Sequence, residues 1–162
     1  MDTRLAVSSK RDQRRYAERP LPDDLVERIL DAGRIAGSSA NRQQRRFVVV
    51  ESDEARRRVA DAVYVAQNVL GAPLVVAVLG KSGFDLGRAA QNMMLVAWNE
   101  GVTSCPNGIS DPEAAAAVLG DEPGYVLSFG YPDPPRDPDE RPADAWSARA
   151  KRLELDRLVT RV

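Results

Sequence analysis

A chain of 162 residues with 23 basic and 24 acidic side chains has a formal charge of -1, which excludes a chain-wide field for nucleic acid or for a membrane surface. It has no histidine and one cysteine, Cys105, so an internal disulfide, the common zinc sites and Ser-His or Cys-His nucleophile pairs are excluded as well. Any chemistry must come from a cofactor or from carboxylates, carried by a single domain over residues 1–162.

The opening stretch, MDTRLAVSSKRDQRR, has no sustained apolar run, so no secretory leader is expected and a cytoplasmic location is. Ser8 to Arg19 reads as a polar, solvated surface segment. Pro20-Leu21-Pro22-Asp23-Asp24 introduces a helix, with proline near its first turn, acids at the positive end of its dipole and Leu25, Val26, Ile29, Leu30 and Ala36 on one stripe. It ends near Gly37, and Ser38 to Gln43 has loop composition. Phe47 to Val50 reads as a short buried strand. Ser52 caps the next helix, whose inward stripe is Val59, Ala62, Val63 and Ala66, with Arg56 to Arg58 on its wet face.

Gly71-Ala72-Pro73 breaks the chain before a second strand, Leu74 to Leu79, which lacks polar alternation and so is covered on both faces. Asp85 to Gly101 is apolar almost all round a 3.6-residue period, which predicts a central core helix stopped by a left-handed Gly101. Val102 to Ile109 is turn-rich. Asp111-Pro112-Glu113 starts a short helix closed by Gly120, and Tyr125 to Gly130 is a third strand. The Pro- and Asp-rich run from Tyr131 to Pro142 must be extended, within a connector placed at 131–148 ahead of a tail at 149–162. Helices interleaved with apolar strands indicate a layered domain of both structures. Cys105, with no cationic neighbour in sequence, reads as a small packed side chain.

Two segments carry chemistry. Lys10-Arg11-Asp12-Gln13-Arg14-Arg15-Tyr16 offers charge-assisted donors suited to a phosphate. Ser38-Ser39-Ala40-Asn41-Arg42-Gln43 offers amide donors and acceptors suited to the edge of a heterocycle. Taken in order, together with Asp85 to Asn92, the Gly130-Tyr131-Pro132 strand ending and Lys151 to Leu155, they resemble the nitroreductase-type FMN-dependent oxidoreductase family, over nearly the whole chain. Its motifs have the form R-[RH]-S-x-[RK]-x-[FY] and P-S-x-x-N-x-Q-P-W. Here Asp12 replaces Ser, Gly37 replaces Pro, and Gln44-Arg45 replaces Pro-Trp.

The resemblance implies an α+β fold, nitroreductase-like, with a central mostly antiparallel sheet flanked by helices and a C-terminal extension exchanged in a homodimer. It implies FMN at the subunit interface. Lys10, Arg11, Asp12, Arg14 and Arg152 match positions around its phosphate and ribityl chain, and Ser38, Ser39, Asn41 and Gln43 match its flavin loop. The implied enzyme is an NAD(P)H-dependent flavin oxidoreductase that takes hydride from NAD(P)H and reduces nitro compounds, quinones or similar acceptors. No side chain is assigned as catalytic; backbone near Pro106, Asn107 and Gly108 is the candidate donor to the flavin. No metal, nucleic acid or membrane partner is expected. A catalytically weak flavin- or nucleotide-binding relative, acting as sensor or carrier, is the alternative.

Overall fold

Strand β2 (Leu74–Gly80) decides the layering, because its side chains point alternately into two separate cores. In the computed structural model, which describes residues 1–162, β2 lies inside a four-stranded sheet of order β1-β2-β4-β3, with β1 Arg45–Val49, β3 Thr103–Asn107 and β4 Pro123–Gly130. Every neighbouring pair is antiparallel. Val76 and Val78 pack with Leu127 and Phe129 against α2 (Asp23–Arg34) and α5 (Gly83–Asn99). Val75, Ala77 and Leu79 pack on the other side against α3 (Asp53–Asp61) and α6 (Pro112–Leu119), with α4 (Ala66–Leu70) beside them. The fold is therefore α+β in three layers, and the absence of alternation in β2 has the cause inferred above.

Helix ends follow their caps. Ser52 and Asp111 accept from the third residue onward, Ala55 N and Ala114 N, and Gly101 and Gly120 take positive φ of 76° and 81°. No helix is long and apolar enough to cross a membrane.

Three readings need correction. Residues before Lys10 are not all solvated surface: α1 (Thr3–Ser9) is capped by Asp2 and held to α5 by a bond from Trp98 Nε1 to Ser9 Oγ, 2.8 Å, with Ser9 fully buried. The stretch after Gly101 is not only turns, since Thr103 to Asn107 pair with β4 as the edge strand β3. Its proline and small polar residues hide that role, and an edge tolerates Pro106, which has no N–H to give. Arg56 is not on a wet face: its guanidinium donates to the carbonyls of Val50 and Val69, each at 3.4 Å, and of Ala72, tying α3 to the end of α4 and to the strand connections.

The Pro-rich run after β4 is extended apart from one short 3-10 turn at Pro138–Glu140, and it leads into α7 (Ala143–Arg149), inside the stretch assigned as connector. Trp146 of α7 is buried within its own chain. Its Nε1 donates to Pro138 O, 2.8 Å, and the guanidiniums of Arg11 and Arg141 lie 5.8 and 4.8 Å from its ring centre. Residues 151–162 are exposed throughout, including Leu153, Leu155, Leu158 and Val159.

Candidate functional site

Beyond α1 the chain runs extended along the open edge of β3. Asp12 bridges Ser104 in parallel, Gln13 N donates to Ser104 O at 3.2 Å, and Tyr16 bridges Pro132. Lys10, Arg11 and Asp12 line a cavity of about 440 Å³ together with Gln91 of α5, Ser147 of α7 and Arg152. Residues from opposite ends of the sequence thus meet at one place. The cavity carries three cations and one carboxylate, a net charge of +2 (three minus one).

Within it, Lys10 Nζ is paired with the Asp12 carboxylate and touches Met94 Sδ at 3.4 Å. Arg11 is already engaged: Nη1 donates to Ser8 O (2.7 Å) and Lys10 O (2.8 Å), and Nη2 to Trp146 O (3.0 Å). It therefore forms the wall that fixes α7 over the cavity, and burial together with the nearby charge of Arg152 lowers its pKa from the usual guanidinium value. Lys10 and Arg152 are the cations left to face a ligand. Gln91 carries no role in the sequence reading; its position after the polar first turns of the core helix is the signal that points to it.

Arg14 is exposed and sits where its charge is felt by Cys105 and Tyr16 on β3's side of the segment. Cys105 is fully buried, and burial pushes its thiol pKa up despite Arg14, which agrees with a packing role. Tyr16 donates into a buried polar group: its hydroxyl lies 2.8 Å from Ser128 Oγ, and Asn107 Nδ2 donates to Ser128 Oγ (3.2 Å), Val126 O (3.1 Å) and Cys105 O (3.2 Å). Burial raises the Tyr16 pKa well above the ordinary phenol value of 10.0. The neutral phenol is the form that the fold holds, so its contribution is complete below pH 10 and is lost as pH climbs through the raised folded value. Tyr16→Phe should flatten the loss of stability between pH 10 and 12 in denaturant titrations, relative to wild type.

The Asn107 Nδ2 is spent in that network while its buried Oδ1 has no partner, and Pro106 has no N–H. Ser104 faces the N-terminal segment and Asn107 faces β4 in the ladder, so backbone donation near the end of β3 is left to Gly108.

The second segment closes on itself. Gln43 N donates to Ser38 Oγ at 2.9 Å, a 3-10 turn covers Ser39–Asn41, and Ala40, Asn41 and Gln43 have φ of 48°, 52° and 51°. Three non-glycine residues in the left-handed region within four positions cost about 1 kcal/mol or more apiece, a strain that a plain connection has no reason to hold. Ser39, Asn41 and Gln43 are exposed and Ser38 half-buried.

This loop enters β1, while the basic cavity lies beyond β3, the opposite edge of the sheet. Four inter-strand steps of about 4.8 Å separate the two, about 19 Å. One protomer therefore brings together Lys10, Arg11, Asp12 and Arg152, with Arg14 outside that lining, and separately Ser38, Ser39, Asn41 and Gln43, without joining the two sets. Helix α5 spans the interval, with Gln91 in the cavity and Arg88, one turn earlier, against Gly37.

A family model described as "Nitroreductase family" matches residues 7–83, a span that holds both motifs. The N-terminal part of the chain, just under half of it, is similar to the nitroreductase family. A Methanothermobacter thermautotrophicus protein named "Putative NADH dehydrogenase/NAD(P)H nitroreductase" is 28% identical over 149 residues, covering 82% of this chain and 78% of its own. The crystal structure of a nitroreductase family protein from Clostridium difficile 630 is similar with a TM-score of 0.83 at 23% identity, over 99% of this chain and 98% of the other. A Desulfovibrio desulfuricans protein solved in complex with FMN is similar with a TM-score of 0.80, also at 23% identity, over 100% and 98% of the two chains. Likeness at these identities shows the fold.

Where this chain departs from the motifs, two of the replacements have partners for their side chains. Asp12 is neutralised by Lys10. Arg45, in the place of Trp, donates to Arg34 O (2.7 Å) and Ala36 O at the C-terminal end of α2, tying the base of the loop. Arg46 reaches Leu119 O at the end of α6, 3.5 Å.

Proposed function

We propose that this chain is an FMN-dependent NAD(P)H oxidoreductase that works as a cytoplasmic homodimer and reduces nitro compounds, quinones or similar acceptors in ping-pong order. The cavity shared by Lys10, Arg11, Asp12 and Arg152 carries this reading, because a net +2 charge on a polar lining complements the dianion of a phosphate monoester. Lys10 and Arg152 would hold the phosphate oxygens, Arg11 would keep α7 closed over them, and Arg14 would lie along the ribityl side. With its tail so held, the flavin supplies two-electron transfer between NAD(P)H and acceptor. Gly108 would offer its backbone N–H to the ring. No histidine or other titrating side chain is needed, in keeping with the composition.

The sheet supports the homodimer. Because Ser38 to Gln43 lie at the opposite edge from the cavity, a second copy would supply that loop to the flavin, and the exposed leucines of residues 151–162 would cover the partner. Two copies would make two equivalent sites.

The ion pair between Lys10 and Asp12 favours a second reading, since it weakens the field on the phosphate: a flavin-binding relative that turns over slowly and serves as carrier or sensor. Purified protein should be yellow, release one FMN per subunit on denaturation, and oxidise NAD(P)H steadily with menadione or a nitroarene. Colourless protein that takes up no added FMN rejects both readings. Yellow protein without turnover selects the second.

A further inference from the structure

Arg88 and Phe84 occupy successive turns on one side of α5, at i and i+4, with the guanidinium 5.6 Å from the ring centre. Phe84 is 75% exposed, so its ring packs into no core. Arg88 is exposed and has no acidic partner among the ion pairs of the chain. Asp85 and Lys81, the charged residues beside it on and before α5, are of opposite sign and offset one another. The guanidinium lies against the start of the strained loop, where a Cβ at Gly37 would sit 2.7 Å from Arg88 Nη2. The motif's proline is absent here, and a cation stands in the space it would fill.

The same side of α5 leads, one turn on, to Gln91 in the basic cavity. An unpaired, planar fork of donors beside an exposed aromatic face, between the two halves of the candidate site, suits a ligand that is flat and anionic. We infer that Arg88 and Phe84 form an acceptor subsite for planar aromatic acids, Arg88 taking the carboxylate and Phe84 stacking on the ring. This rests on the flavin reading for its role as an acceptor site; the binding itself does not.

The purified protein is titrated calorimetrically with 4-nitrobenzoate and with its neutral methyl ester. Arg88→Ala should weaken the acid about two- to fivefold and leave the ester unchanged, the range set by an exposed guanidinium–carboxylate contact. Arg88→Lys should recover part of the loss, keeping charge without the fork. Phe84→Ala should weaken both ligands alike. Equal effects of Arg88→Ala on acid and ester, or no binding of the acid to wild type, overturn the inference. So does a fall in flavin content of Arg88→Ala, which would assign Arg88 to the cofactor, or a change of oligomeric mass in Phe84→Ala, which would assign that ring to a subunit contact. Wild-type protein that binds the acid selectively yet takes up no FMN sinks the proposed function and leaves the subsite standing.

Discussion

Lys10→Ala is expected to weaken FMN binding ten- to a hundredfold, and Asp12→Ser to tighten it. Lys10 is the cation whose loss changes the cavity most, because its side chain is 10% exposed and it neutralises a carboxylate that lines the same space. Removing it deletes a charge-assisted contact to phosphate, about 1.5–3 kcal/mol, and also leaves Asp12 facing the dianion unpaired. Two unit charges at about 4 Å repel by about 4 kcal/mol at an effective dielectric near 20, so the freed carboxylate adds a penalty of the same order before solvent screening, and Asp12 is partly exposed. Arg152→Ala removes a cation without freeing an acid and should cost less, about fivefold; Arg14→Ala, at an exposed position, should cost least. Quenching of FMN fluorescence gives all four affinities, and raising the salt from 50 to 500 mM should compress the differences. If Lys10→Ala binds FMN as wild type does, the phosphate lies elsewhere and the assignment of the N-terminal motif fails.

These relations were partly legible before any coordinates. Strand β2 and helix α5 declare themselves because a fully covered element must be apolar on every side. Ser52, Asp111, Gly101 and Gly120 declare the helix ends because capping is local chemistry. The elements that stayed hidden owe their existence to remote partners. Helix α1 buries Ser9 rather than a large apolar side chain, and is pinned by the indole of Trp98, 89 positions away. Strand β3 has the composition of a turn and becomes a strand because β4 offers it an edge. Arg56 and Arg45 look like wet-face or ligand-facing cations, yet they bind carbonyls at chain breaks that local sequence cannot assign to them.

The site divides in the same way. Motif order alone placed Lys10, Arg11, Asp12, Arg14 and Arg152 in one group, and all but Arg14 share a cavity. The edge on which the Ser38–Gln43 loop would emerge depends on strand order, which no local pattern encodes. Arg88 was likewise invisible, since its partner is the missing side chain of Gly37.

That division sets a test of the dimer. A Lys10→Ala/Arg152→Ala chain is damaged only in the cavity at the β3 edge, and an Asn41→Ala/Gln43→Ala chain only in the loop at the β1 edge. If each flavin lies between a cavity from one copy and a loop from the other, a mixed dimer contains one site with both defects and one with neither. Equal amounts of the two chains, unfolded and refolded together, give about half mixed dimers by random pairing, so about a quarter of the sites are intact. FMN content and NAD(P)H oxidation should then recover to about a quarter of wild type, from two preparations that are each far below it. Sites closed within one protomer predict no recovery, because every chain in the mixture carries one lesion. Two differently tagged chains, purified through both tags, sharpen the contrast to about half of wild type against none.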